Sequence, residues 1–207
     1  MSNKSPAVVR KVESTDPRVQ RSVQALGNAF VELIQEREFA SITVQEILDR
    51  AGVGRATFYA HYRNKQDVLY SSYEGMFAMF ERLLDQTASR GPRLVPVAEY
   101  LSHLGAMTKF IDSLRDAGQL DEIWSLGVDF VARMIEKRIA PVPNATPAIP
   151  PSLAARMLAG ALMEMARWWY DHQATSTPAQ MDVAFHEVAR ATLQRAAYRQ
   201  LSAIPSR

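Results

Sequence analysis

The sequence has no cysteine among its 207 residues, and this absence excludes disulfide bonds, thiolate metal ligands and a cysteine nucleophile. No apolar run reaches the roughly 20 residues that a membrane-spanning helix requires. Residues 2–5 are polar and lack the apolar character of a secretory signal. A cytoplasmic protein with no membrane partner is therefore expected.

Sequence motifs of common enzyme classes are also missing. The chain contains no GxSxG, HExxH or GxGxxG motif and no Walker loop. His186 and Glu187 begin like a zinc-protease motif, but Arg190 stands where the second histidine must be. We therefore expect no catalytic residues, no metal site and no cofactor, and an all-helical enzyme is a distant alternative.

Charge is distributed unevenly along a chain of ordinary globular composition, which has 47% hydrophobic and 22% charged residues. Residues 1–65 carry ten basic and seven acidic side chains, whereas residues 66–207 carry fourteen and fifteen. Residues 1–16 are predicted to form a disordered basic arm. Because positive charge at one end of a chain favours a polyanionic partner, nucleic acid is a candidate.

Hydrophobic periodicity predicts an all-α protein. Apolar residues recur at the i, i+4 and i+7 spacing of amphipathic helices, and none alternate with period two for long enough to propose a sheet. The first helix is predicted to begin near Pro17, a favourable first helical residue. Five of the eleven prolines lie in 141–151, which predicts an extended or mobile connection. Further helices are predicted from Asn64 to before Gly91, from Pro96 past Leu114, and over about 119–139, 152–172 and 178–198.

The segment Ser41–Leu69 carries strong signals for the start of a helix. Thr43 and Glu46 have the spacing of a capping box, in which each side chain bonds the backbone N–H of the other residue. Ile42 and Ile47 have the spacing of a hydrophobic staple across the same helix start. A short helix is therefore predicted to begin directly after Thr43.

A second short helix is predicted to follow almost at once. Gly52 stands where the first helix should end in a left-handed residue, and Gly54 is a permissible N-cap for the next helix. Phe58 and Tyr62, four residues apart, are expected to face inward, and Asn64 caps the long helix that follows. Two short helices joined by a tight glycine turn are typical of a helix-turn-helix.

The second helix of such a motif presents its N-terminal side chains to base edges in the major groove. Arg55 has the donors to hold a guanine, and Thr57 can contact a thymine methyl group. Tyr59 and His61 can donate to phosphates, and Lys65 is predicted to clamp a phosphate at the next helix N-terminus. The predicted DNA-binding residues are Val44, Gln45, Arg55, Ala56, Thr57, Tyr59, Ala60, His61 and Lys65.

This segment resembles the DNA-binding domain of the TetR/AcrR transcriptional regulators, whose pattern runs roughly T-V-x-x-I-x-x-x-A-G-V-S-x-x-T-F-Y-x-H-F-x-x-K-x-x-L. Gly54 replaces the usual serine, which removes one hydroxyl from the phosphate contacts, and Tyr62 replaces the usual phenylalanine. The matching residues are Thr43, Val44, Ile47, Ala51, Gly52, Val53, Thr57, Phe58, Tyr59, His61, Lys65 and Leu69.

The resemblance implies a three-helix domain at 17–65 that binds double-stranded operator DNA and a C-terminal domain at 66–207, with about nine helices in all. It also implies a homodimer through the last two long helices and a small effector bound in the C-terminal domain. The wide apolar surface between Met157 and Trp169 favours the same dimer interface, and the apolar lining favours a hydrophobic or aromatic effector. The candidate pocket residues are Met76, Phe80, His103, Met107, Phe110, Trp124, Phe130 and Met134.

The predicted function is a DNA-binding transcriptional regulator, a repressor that leaves a palindromic operator when its effector binds. An effector-independent DNA-binding regulator is the alternative. The sequence leaves open the effector, the operator, the regulated genes and the choice between repressor and activator.

Overall fold

The computed structural model describes residues 16–86, 93–172 and 176–200, so the predicted basic arm lies outside the described residues except for its last position. The described residues form nine α-helices, one 3-10 turn and two short strands, which confirms the all-α fold class. The helices are α1 (Pro17–Glu36), α2 (Val44–Ala51), α3 (Arg55–His61), α4 (Lys65–Gln86), α5 (Val97–Ala106), α6 (Thr108–Asp116), α7 (Leu120–Glu136), α8 (Pro151–Asp171) and α9 (Pro178–Arg195). The 3-10 turn is Phe39–Ser41, and the strands are β1 (Ile139–Pro141) and β2 (Tyr198–Gln200).

Two features of the second half differ from the sequence prediction. The helix expected to run from Pro96 past Leu114 is interrupted at Met107 and becomes α5 and α6. The expectation of no sheet is wrong for a short stretch, because β1 pairs antiparallel with β2. Ala197, at φ 60°, turns the chain from α9 into β2. The backbone N–H and C=O groups of β2 then bond to β1, instead of to neighbouring turns of a longer helix.

The chain divides into two compact units. The first comprises the chain up to Gly75 together with Lys109–Gln119, and the second comprises Met76–Thr108 and the chain from Leu120 onward. Helix α4 is therefore shared by both units. The domain boundary at residue 65, taken from the family resemblance, stays a prediction.

The core of the first unit forms where α1 packs against α2. Leu26, Phe30, Ile47 and Phe58 are all 0% exposed there. The α1–α2 connection is fixed to α6, because the Phe39 N–H donates a hydrogen bond to the buried hydroxyl of Ser113. The unit thus supports α2 and α3 on a packed apolar base.

The second unit is built on the packing of α7 against α8, where α8 contributes small buried residues such as Ala155, Ala159 and Ala166. A polar cluster ties α5 to α9 in the same unit. There the Leu94 N–H donates to His186 Nε2 at 3.1 Å, so this ring nitrogen carries no proton and the Nδ1–H donates to the Asp182 carbonyl at 2.8 Å. Burial lowers the pKa of His186, which favours the neutral ring that this arrangement requires.

Neither a metal-binding group nor a membrane-spanning helix is present in the part of the chain that the structure describes. Its histidine and acidic side chains do not form a group of three or more that could hold a metal ion. None of its helices is long and apolar enough to cross a membrane.

Candidate nucleic-acid interface

The start of α2 is fixed by the capping box that the sequence predicts. Thr43 Oγ1 accepts the Glu46 N–H at 3.2 Å, and Glu46 Oε2 accepts the Thr43 N–H at 2.8 Å. The hydrogen bond from the Thr43 backbone holds the pKa of Glu46 below its usual value. Ile42 and Ile47 are both buried, as the hydrophobic staple requires.

The turn between α2 and α3 depends on glycine at one position. Gly52 has φ 63°, a left-handed conformation that costs glycine nothing and strains residues with a side chain. Gly54 follows as the N-cap of α3 without a side-chain hydrogen bond, as expected for a residue without a hydroxyl. The predicted helix-turn-helix is therefore present in the structure.

Helix α3 has one buried side and one exposed side. Phe58 and Tyr62 are 0% and 2% exposed, and the two rings lie 5.6 Å apart between centroids. The Tyr62 hydroxyl donates to Ser71 Oγ at 3.1 Å, which fixes α3 against α4. These contacts leave the opposite side of α3 directed to solvent.

The predicted DNA-binding residues lie mostly on that solvent side or at the start of α2. Tyr59 is 58% exposed, and Thr57 and His61 are half-buried at the edges of the exposed side. At the start of α2, Val44 is half-buried and Gln45 is exposed. The remaining exposed predicted residues of α3 are Arg55, Ala56 and Ala60.

Lys65 does not have the role that the sequence predicts. Its ammonium group donates to the backbone carbonyls of Phe39, Ala40 and Ile42 at 2.7, 3.0 and 2.8 Å. An ammonium group has three N–H donors, so all of them are used inside the protein and none remains for a phosphate. Burial lowers the pKa of Lys65, which agrees with this enclosed position. We therefore correct the phosphate-clamp interpretation: Lys65 joins the α1–α2 connection to the start of α4.

Arg63 is an exposed cation at the same end of α4, and it is not among the DNA-binding residues predicted from the sequence. Its Nε and Nη2 donate to the two carboxylate oxygens of buried Asp67 at 2.9 and 3.0 Å. The hydrogen bond from Arg63 is the main reason that the pKa of Asp67 is lowered. The i, i+4 spacing of the two residues was the available sequence signal.

Two other arginines of the first unit are held in ion pairs beside α2. Arg50 donates to both carboxylate oxygens of Glu36 at 2.8 Å, and Arg37 pairs with Glu46. These pairs offset positive charge on the side of α2 that packs toward α1. The cations of α3 and of the α3–α4 junction are Arg55 and Arg63.

The candidate effector residues are divided between the two units. Phe110 lies on α6 and groups with the first unit, whereas the other seven belong to the second. The Phe80 ring contacts the His103 ring edge-to-face with centroids 5.8 Å apart, and burial lowers the pKa of His103. Phe80, Trp124 and Met134 are buried, and Met76, His103, Met107 and Phe130 are half-buried.

Known proteins match this chain in sequence over part of its length. Residues 28–70 match the family described as bacterial regulatory proteins, tetR family. The transcriptional regulator AcuR of Cereibacter sphaeroides is 33% identical over 102 residues, which are 47% of this chain and 46% of that protein. YxbF of Bacillus subtilis, described as an uncharacterized HTH-type transcriptional regulator, is 38% identical over 65 residues, 31% of this chain and 17% of its own length. The matches thus span less than half of either relative.

A solved structure extends the likeness of fold beyond the matched segment. The repressor AlkX of a Dietzia species has a TM-score of 0.54 at 14% identity, over 84% of this chain and 96% of that chain. This chain is all-helical, and it has a capped α2, a glycine turn and an exposed α3. These features place it in the helix-turn-helix class of proteins. Within that class, the segment that carries the motif, residues 28–70, is similar to the tetR family of bacterial regulatory proteins.

Proposed function

We propose that this protein is a transcriptional regulator that inserts α3 into the major groove of operator DNA. The observation that carries this proposal is the two-sided character of α3. Phe58 and Tyr62 fix one side in the core, while Arg55 and Tyr59 are exposed on the other. A helix supported in this way can present side chains to base edges without losing its own packing. The named relatives are transcriptional regulators, which supports the same function.

In this proposal, the contacts divide into base readout and phosphate positioning. Arg55 and Thr57 face the bases, Gln45 and Val44 approach from the start of α2, and Tyr59 and His61 donate to phosphates. Ala56 and Ala60 allow close approach because their side chains are small. Arg63 takes the phosphate role that Lys65 cannot fill.

The protein is proposed to act as a homodimer through α8 and α9, the last two long helices. The support is an exposed apolar side on α8 and exposed apolar residues on α9. On α8, Leu153, Met157 and Trp168 are 45%, 55% and 45% exposed, and on α9, Val183 and Val188 are 58% and 61% exposed. Apolar surface of this kind on two neighbouring helices is typical of an interface.

The regulator is further proposed to be a repressor whose effector binds in the second unit. One observation favours a ligand there: the indole N–H of buried Trp124 has no hydrogen-bond partner among the described residues. A buried N–H without a partner is costly, and a ligand oxygen would satisfy it. We therefore propose a mostly apolar or aromatic effector with a hydrogen-bond acceptor. Because α4 belongs to both units, it is the proposed path from effector to DNA. An effector-independent regulator remains the second candidate.

The DNA-binding proposal is tested by selection from a random double-stranded DNA library with the full-length protein. We expect a pseudo-palindromic motif whose half-sites lie roughly 34–36 Å apart, or a multiple of that spacing, because each subunit of a dimer reads one half-site. The control is the unselected library at several salt concentrations. Retention of DNA without any enriched sequence would contradict the proposal.

The effector proposal is tested with a panel of hydrophobic and aromatic compounds. We expect a true effector to raise the melting temperature and to weaken operator binding about 5- to 150-fold, with operator DNA weakening effector binding by the same factor. Trp124→Phe should lower effector affinity about 2- to 10-fold because the indole donor is lost. Its operator affinity without effector should be unchanged. A panel that leaves the melting temperature unmoved would favour the effector-independent alternative.

A further inference from the structure

The side chains of Gln45 on α2 and Arg55 on α3 are joined by hydrogen bonds, although both are exposed. Arg55 Nε donates to Gln45 Oε1 at 3.1 Å, and Arg55 Nη2 donates to the same oxygen. On its other side, Gln45 Nε2 donates to Asp49 Oδ1 at 2.7 Å. The amide orientation is therefore determined, because its oxygen meets a donor and its nitrogen meets an acceptor.

These bonds determine which edge of Arg55 faces outward. A guanidinium has five N–H donors, and here the Nε donor and one Nη2 donor point to Gln45. The donors that remain are those of Nη1 and one of Nη2, which lie side by side at the end of the group. Two adjacent N–H donors match the O6 and N7 acceptors of guanine.

The relay to Asp49 is built into α2 itself. Asp49 lies four residues after Gln45, so the two side chains are neighbours on one side of the helix. The helix thus holds the amide, and the amide holds the guanidinium. An arginine that is oriented before binding loses less side-chain freedom when it meets DNA.

We propose that Gln45 is a positioning residue for Arg55, and that the pair reads one guanine as a unit. The inference rests on the proposed function, since it assumes that α3 enters the major groove. It differs from the sequence prediction, in which Gln45 and Arg55 were separate contacts. Its consequence is that the two substitutions should affect the same base pair.

The experiment compares Gln45→Ala, Arg55→Ala and the double variant by DNA selection, followed by fluorescence anisotropy on the selected site and its single base-pair variants. Arg55→Ala should lower the preference for guanine at one base pair about 5- to 150-fold. Gln45→Ala should lower the same preference about 2- to 10-fold. The double variant should be no worse than Arg55→Ala, because independent contacts would add and coupled ones do not.

Gln24→Ala is the matched control. Gln24 is also an exposed glutamine of the first unit, and its Nε2 makes an i, i+4 hydrogen bond of 2.8 Å to Asn28 within α1. Alanine is the best helix former, so neither glutamine substitution should unfold its helix. The control should leave the selected motif unchanged.

The outcomes separate the inference from the function on which it rests. If Gln45→Ala changes a different base pair, or leaves the guanine preference intact, the coupling is wrong while the proposed function stands. If Arg55→Ala weakens all sequences equally, Arg55 contacts phosphate and the inference is overturned. If the wild-type protein selects no motif, the proposed function itself fails and the inference fails with it.

Discussion

Replacing Met157 with glutamate is expected to convert the proposed dimer to a monomer and to lower its operator affinity by about two to four orders of magnitude. Met157 lies in the first half of α8 and is 55% exposed, so glutamate is tolerated in the single chain. In the proposed interface, the same carboxylate would be buried without a partner, which is strongly unfavourable. Loss of the dimer also removes the gain from binding two half-sites at once.

Sedimentation equilibrium and anisotropy on the selected operator measure the two effects of Met157→Glu. Val142→Glu is the control, because Val142 is an exposed apolar residue outside α8 and α9, at 37% exposure. The control should remain dimeric and bind normally. Normal operator binding by a dimeric Met157→Glu protein would exclude this side of α8 from the interface.

The helix-turn-helix could be predicted because its signals are local. The capping box of Thr43 and Glu46, the left-handed Gly52 and the cap by Asn64 each involve groups within four residues of one another. The structure confirms them, and Asn64 Oδ1 accepts the Asp67 N–H at 3.0 Å. Such patterns are decided by backbone geometry before any tertiary contact forms.

The role of Lys65 could not be predicted in the same way. Its partners Phe39, Ala40 and Ile42 are 23 to 26 residues away in sequence. A lysine at a helix N-terminus is compatible with either a phosphate or a set of carbonyl oxygens, and only the tertiary fold decides between them. The phosphate role predicted for Lys65 was therefore corrected by contacts between residues that lie far apart in the sequence.

The interruption of the helix at Met107 is likewise a matter of long-range packing. A Cβ added to Gly105 would lie 3.3 Å from the end of the Trp169 ring, so α5 approaches α8 closely just before the interruption. The pairing of Ile139 with Gln200 also joins distant parts of the chain. The apolar spacing through Leu114 predicts which residues are buried, but it does not show whether these residues lie on one helix or on two.

Arg138 is the second residue for which we expect a large effect, because it is buried and joins three groups of the second unit. Its side chain is 5% exposed, and Nη1 donates to Glu81 at 3.2 Å and to the Met134 carbonyl at 2.9 Å, while Nη2 donates to Asp85. Met134 is in the last turn of α7, whose carbonyls have no partner within the helix. Arg138 therefore connects the end of α7 to α4.

The pKa of Glu81 reflects the positive charges of Lys137 and Arg138 beside it. Burial acts to raise the pKa of Glu81, but the hydrogen bonds and charges of Lys137 and Arg138 outweigh it, and the pKa lies below its usual value. Ionised Glu81 thus stabilises the fold above its ordinary pKa, and this contribution is lost as the pH falls through the lower folded-state value. Without Arg138, burial would be opposed by Lys137 alone, and the pKa of Glu81 would rise.

Arg138→Met is expected to lower the free energy of unfolding at pH 7 by about 2–4 kcal/mol, because it leaves Glu81 charged and partly buried. Lys137→Met is the control: Lys137 bonds the same carboxylate at 3.0 Å but is 49% exposed, so its loss should cost about 0–1 kcal/mol. The loss in free energy of unfolding caused by Arg138→Met should shrink as the pH is lowered from 7 to 4. In the variant, protonation of Glu81 removes an uncompensated charge, whereas in the wild type it removes a charge that stabilises the fold. Urea unfolding followed by circular dichroism at both pH values measures this loss. An equal loss at the two pH values would mean that Arg138 acts through packing and its bond to Met134 rather than through Glu81.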